Sequence, residues 1–103
     1  MDIEKDLLYL AQTDETYAEL NANTESMKDA VKHTKGKFIS ESNLSVSKAE
    51  HEYYASPDFI EIMKLRKEGN KSLKALTNKR QTSILRIEVW RTLEASRRKG
   101  NIQ

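Results

Sequence analysis

Residues 56–100 read SPDFIEIMKLRKEGNKSLKALTNKRQTSILRIEVWRTLEASRRKG, and the opening and periodicity of that stretch decide the fold. Ser56 is an N-cap residue. Pro57 suits the first helical position, where its missing N–H costs nothing, and Asp58 sets an acid at the positive end of the helix dipole. No proline follows. Phe59, Ile62, Gly69, Leu73, Leu76, Arg80, Ile84 and Ile87 then step by threes and fours, with one wider step across 64–68. The stretch predicts one long helix over 57–99 with Gly100 beyond its end. Its weak point is Gly69-Asn70, where a kink or break is expected if the helix has one.

The first half of the chain supplies a partner for that helix. Ile3, Leu7, Leu10 and Ala11 recur at helical spacing and predict a short helix over 2–12. Thr13-Asp14 reads as a junction, and either residue can N-cap a second helix over 14–40 whose seam is Tyr17, Leu20, Thr24, Met27, Val31 and Phe38. Residues 40–47 have loop composition, and Ser47 followed by Glu50 has the form of a capping box for a short helix over 48–55. Charge divides along the same line. Residues 1–62 hold thirteen Asp/Glu and six Lys/Arg, a net of −7, whereas residues 63–103 hold three and twelve, a net of +9. The helices over 2–12 and 14–40 together match the last helix in length, so folding one onto the other sets acid against base. The expected fold is all-α: an elongated antiparallel helical hairpin, coiled-coil-like, with short helices at its ends.

Composition limits what else is possible. Only 37% of 103 residues are hydrophobic against 33% charged, which fits a single domain over 1–103 built on narrow seams rather than a thick core. A homo-oligomer is expected, because a small seam-packed chain gains stability by burying its remaining apolar stripe against a copy. Without cysteine, disulfides and thiolate metal sites are excluded. The acidic start lacks the order of a secretory signal, and no run approaches the ~18 apolar residues of a membrane span, so a soluble cytoplasmic chain is expected. Gly-rich phosphate loops, nucleophile elbows and metal signatures do not occur. His51 stands between Glu50 and Glu52, but neighbours one apart on a helix point in different directions, so His51, like His33, reads as a surface residue rather than a ligand. No catalytic residue, metal or cofactor is expected.

Residues suited to a partner lie near the end of the chain. Arg86, Trp90, Leu93 and Arg97 fall on one helical stripe, with Arg91, Arg98 and Lys99 beside it. Arg and Trp together stack on and neutralise single-stranded nucleic acid, and they also anchor protein interfaces. The structural alternative packs Trp90 against Leu7 or Leu10 and pairs the arginines with Asp2, Glu4 and Asp6. The apolar neighbours Ile84, Leu85, Ile87 and Val89 favour a packed Trp90 over an open platform. Lys64, Lys67, Lys71 and Lys74 share the opposite face and read as a solvated back. Of Tyr53 and Tyr54, one ring is expected to close the corner between helices and the other to stay free for a partner.

The order Ala55-Ser56-Pro57-Asp58-Phe59, a long charged helix, and then Ile87-Glu88-Val89-Trp90-Arg91-Thr92-Leu93-Glu94-Ala95-Ser96-Arg97-Arg98 resembles a group of small helical proteins of tailed bacteriophages. Their Ala-Ser-x-x-Tyr/Phe helix start precedes an Ile-Glu-x-Trp-Arg-Ser/Thr-x-x-Ala-x-Arg-Arg pattern. Phe59 stands where that group more often has tyrosine. The resemblance implies a phage accessory protein in DNA recombination or in dealings with host defence, and it assigns no catalytic residue. The expected function is non-enzymatic: an accessory or inhibitor that binds a nucleic-acid-handling protein complex in the bacterial cytoplasm. The runner-up is direct binding of single-stranded DNA in phage recombination.

Overall fold

The computed structural model describes residues 2–102, which form three α-helices and no strand: α1 (Ile3–Glu41), α2 (Val46–Tyr54) and α3 (Pro57–Ile102). The expected all-α class is the class observed. The junction expected at Thr13-Asp14 is not there. α1 runs unbroken for 39 residues, because the Thr13 hydroxyl turns back to the Tyr9 carbonyl at 2.8 Å instead of capping a new helix. α2 also starts earlier than expected. Its N-cap is Ser45, whose side chain accepts from the Lys48 amide at 3.4 Å, and Ser47 lies inside the helix. Ser56 does cap α3: its hydroxyl accepts from the Phe59 amide at 3.3 Å and donates to the Tyr53 carbonyl at 2.6 Å. α3 passes through Gly69-Asn70 without a break and through Gly100 as well, since no glycine takes the positive φ that ends a helix.

Both long helices carry a 3-4-3-4 row of partly or fully buried positions. On α1 the row is Ile3, Asp6, Leu10, Thr13, Tyr17, Leu20, Thr24, Met27, Val31, Thr34 and Phe38. On α3 it is Phe59, Ile62, Arg66, Gly69, Leu73, Leu76, Arg80, Ser83 and Ile87. A mean step of 3.5 is the repeat of helices that pack along a coiled-coil seam. The wide step expected across 64–68 is filled by Arg66. Likewise the fully buried residue near 84 is Ser83, with Ile84 only partly covered.

By internal contacts the chain divides into two compact units: the chain up to Ala18 with the chain from Lys74, and Glu19–Leu73. Within Glu19–Leu73, α2 closes the corner between α1 and α3. Tyr53 is 1% exposed and packs its ring 5.7 Å from Phe38, 5.3 Å from Phe59 and 5.6 Å from Tyr54. Its hydroxyl shares a 2.8 Å hydrogen bond with Thr34 and reaches the Val31 carbonyl at 3.3 Å, so the polar tip is satisfied as the ring is buried. Ala49 and Tyr53 are the buried apolar residues among those described. The other unit is held differently, through polar side chains in its seam.

Candidate interaction surface

In the unit that joins the two ends of the chain, cations from α3 are fixed by groups on α1. Arg80 donates to the Leu10 carbonyl at 2.9 Å, the Thr13 hydroxyl at 2.7 Å and the Asp14 carboxylate at 2.6 Å, and its guanidinium lies 4.8 Å from the Tyr17 ring centroid. Five N–H groups in a planar fork allow one side chain to hold all of these. Two turns toward the N-terminus of α1, Asp6 is 6% exposed. Its Oδ1 accepts from the Ser83 hydroxyl at 3.0 Å and from Arg86 at 3.2 Å. Ser83 is 4% exposed, so this is a buried polar contact that links one register of α3 to one register of α1. The expected pairing of a C-terminal arginine with Asp6 is therefore made by Arg86.

The rest of the basic end faces outward. Trp90 is 39% exposed, not packed away, and Leu93 is 57% exposed. Arg91, Arg98 and Lys99 are exposed as well. Arg97 pairs only with Glu94 on its own helix, at 3.1 Å. The less obvious feature is apolar. Leu85, Val89 and Leu93 step by four along α3 and are each about half exposed. At 100° per residue Leu85 and Val89 lie about 160° around the helix from Ile87, on the side away from the seam. With Glu88 and Thr92 they line one shallow depression. This segment of α3 is thus apolar on two opposite faces, of which the seam covers one.

The two tyrosines part ways. Tyr53, expected among the partner-binding residues, is buried at the corner and offers a partner nothing, while Tyr54 is 45% exposed. Tyr54 is also engaged: Lys35 donates to its hydroxyl at 2.9 Å and sits 5.1 Å from its ring centroid. Lys35 further donates to the Glu50 carboxylate at 2.6 Å. That carboxylate, followed by the Tyr54 hydroxyl, raises the Lys35 pKa, and the hydrogen bond from Lys35 lowers that of Glu50. The tyrosines belong to Glu19–Leu73 and the arginines to the other unit, so the expected set of partner residues divides between two sites.

Sequence reasoning missed Asp6, Ser83 and Arg66 as seam residues because it tracked apolar periodicity alone. The uninterrupted 3-4 count, carried through polar residues, would have found them. Among the described residues no helix is long and apolar enough to cross a membrane, and no three His, Cys, Asp or Glu residues gather as a metal site. His33 and His51 are exposed. No family model, curated protein or solved structure matches the chain.

Proposed function

We propose that this chain is a non-enzymatic binding protein of the tailed-phage accessory kind, which sets the outer face of its C-terminal helix onto an acidic, partly apolar surface of a protein complex that handles nucleic acid. The observation that carries this reading is the uncovered stripe Leu85, Val89 and Leu93, on a helix whose opposite face already fills the seam. Apolar side chains repeated on an outer helical face are what a groove on a partner recognises, as anchors at spacings of three and four. Trp90 and the arginines beside it add the residue types that dominate interface energies.

Charge selects the occupant. At 100° per residue Lys79, Arg86 and Arg97 share one shoulder of the stripe, and an antiparallel second copy would set that shoulder against itself. An acidic partner turns the same shoulder into an attraction, and the planar guanidinium groups suit bidentate contact with its carboxylates. One observation favours the second reading, single-stranded DNA: Trp90 remains 39% exposed among arginines and can stack a base.

A capture experiment from bacterial host lysate, with nuclease present, separates these readings. Val89→Glu/Leu93→Glu and, separately, Lys79→Glu/Arg97→Glu should retain wild-type helicity, since all four side chains are exposed or paired only within α3. Each variant should lose a protein that the wild type retains after nuclease treatment. Retention of the same protein by both variants would overturn the proposal. Tight binding of a free oligonucleotide that weakens steeply with salt would move the function to the second reading.

A further inference from the structure

We propose that the groove beside the polar seam of the first unit is a binding site for a phosphate group in its doubly charged, monoester form. The groove, about 460 Å³, lies between α1 and α3 and is lined from both sides: Lys5 and Tyr9 from α1, Lys79, Thr82 and Arg86 from α3, around Asp6. Lys5 and Tyr9 are one turn apart, and Lys79, Thr82 and Arg86 follow at steps of three and four, so each row presents its side chains to one strip of surface. Lysines of an ordinary solvated face diverge; these approach one concavity from two helices.

The charges around the groove do not cancel. Lys5, Lys79 and Arg86 bring three positive charges, and Asp6 brings the one negative charge. Neither lysine makes an ion pair among the described residues. Asp6 is nearly buried, with Oδ1 taken by Ser83 and Arg86, so it fixes the guanidinium more than it screens the groove. Only one Arg86 nitrogen is used in that contact, and the remaining N–H groups of the fork are available to a ligand. The Tyr9 hydroxyl adds a neutral donor, whereas Thr82 already gives its proton to the Asn78 carbonyl at 3.1 Å. A net charge of +2 with donors on both sides matches a dianion with several acceptor oxygens better than a carboxylate, which offers one charge and two oxygens. Such a group is carried by a free nucleotide or by a phosphorylated strand end.

This site shares Lys79 and Arg86 with the shoulder of the outer stripe but does not rest on the proposed partner. Its test is a titration of isotope-labelled protein by NMR, following the backbone amides of Tyr9, Lys79 and Ser83 at constant ionic strength. The probes are inorganic phosphate, sodium chloride, and a short single-stranded oligonucleotide with either a 5′-phosphate or a 5′-hydroxyl. Phosphate should give saturable shifts at these amides that chloride does not. Binding should weaken as pH falls through the second phosphate ionisation near pH ~6. Lys5→Gln/Lys79→Gln, which changes two exposed side chains, should weaken binding on the order of tenfold at unchanged melting temperature. If that variant does not fold, Tyr9→Phe serves in its place, with a loss of about threefold. A 5′-phosphate oligonucleotide that outbinds its 5′-hydroxyl counterpart identifies a strand end as the source. Equal affinity for inorganic phosphate and the phosphorylated strand identifies a small phosphate. Shifts that chloride reproduces, or that persist undiminished in the variant, would overturn the site.

Discussion

The corner within Glu19–Leu73 and the unit made of the chain's two ends use the same helices to different ends. At the corner, one fully buried tyrosine is surrounded by Phe38, Tyr54 and Phe59, and apolar contact does most of the work. At the ends, the seam positions Asp6, Thr13, Arg80 and Ser83 are polar and hold each other by hydrogen bonds and ion pairs. Burial of apolar area is the larger and less directional source of stability, whereas buried polar contacts are modest in net energy but costly to break or misalign. Labour is thus divided: the corner supplies stability, and the ends supply register. Leu85, Val89 and Leu93 stand outside because their phase on α3 differs from that of the seam residues Ser83 and Ile87.

The largest effect is expected at Tyr53. Tyr53→Ala should lower unfolding free energy by about 3–5 kcal/mol, the usual range for deleting a buried aromatic ring, as measured by urea denaturation. Leu93→Ala, which removes an exposed side chain, should change it by less than about 0.5 kcal/mol. A mild effect at Tyr53 would show that the corner is not the stability centre.

A smaller effect is expected at Asp6. Asp6→Ala leaves the buried Ser83 hydroxyl and Arg86 without their acceptor and should cost about 1–3 kcal/mol. Asp6→Leu combined with Ser83→Ala replaces the polar pair by apolar groups and should recover most of that loss. A double variant as unstable as Asp6→Ala would mean that the contact stabilises the ends as well as registering them.

The smallest effect concerns pH at the corner. The folded-state pKa of Glu50 is lowered by Lys35, so its contribution is present above the unfolded value near ~4.3 and fades as pH falls through the lower folded value. Lys35 is raised, so its contribution is complete below about 10.4 and fades as pH climbs through the higher folded value. Melting temperature against pH should therefore sag slightly at both extremes, and Glu50→Gln should flatten the acid limb. A variant with the wild-type acid limb would assign that limb to other carboxylates.

Much of this architecture is legible in the sequence because apolar spacing and helix-start chemistry are local. Ser56-Pro57 marks the start of α3, and the row from Tyr17 to Phe38 marks the buried face of α1. What is not legible depends on distant partners. Thr13-Asp14 looks like a break until Arg80 is seen to bind both residues. Ser47 with Glu50 has the form of a capping box, yet the residue that caps α2 is Ser45. Trp90 has the neighbours of a packed residue and continues the 3-4 row after Ser83 and Ile87, yet it stands 39% exposed.

The span of the Asp6–Arg86 pair has a kinetic consequence. The two residues are 80 apart in sequence, whereas Thr34 and Tyr53 at the corner are separated by 19. Closing the longer loop from an unfolded chain costs more entropy, and a preformed corner removes most of that cost. Folding should thus begin at the corner and zip toward the termini, with amide exchange fastest where the zip finishes. Arg86 and the helix beyond it would then be the last part to lock and the first to open.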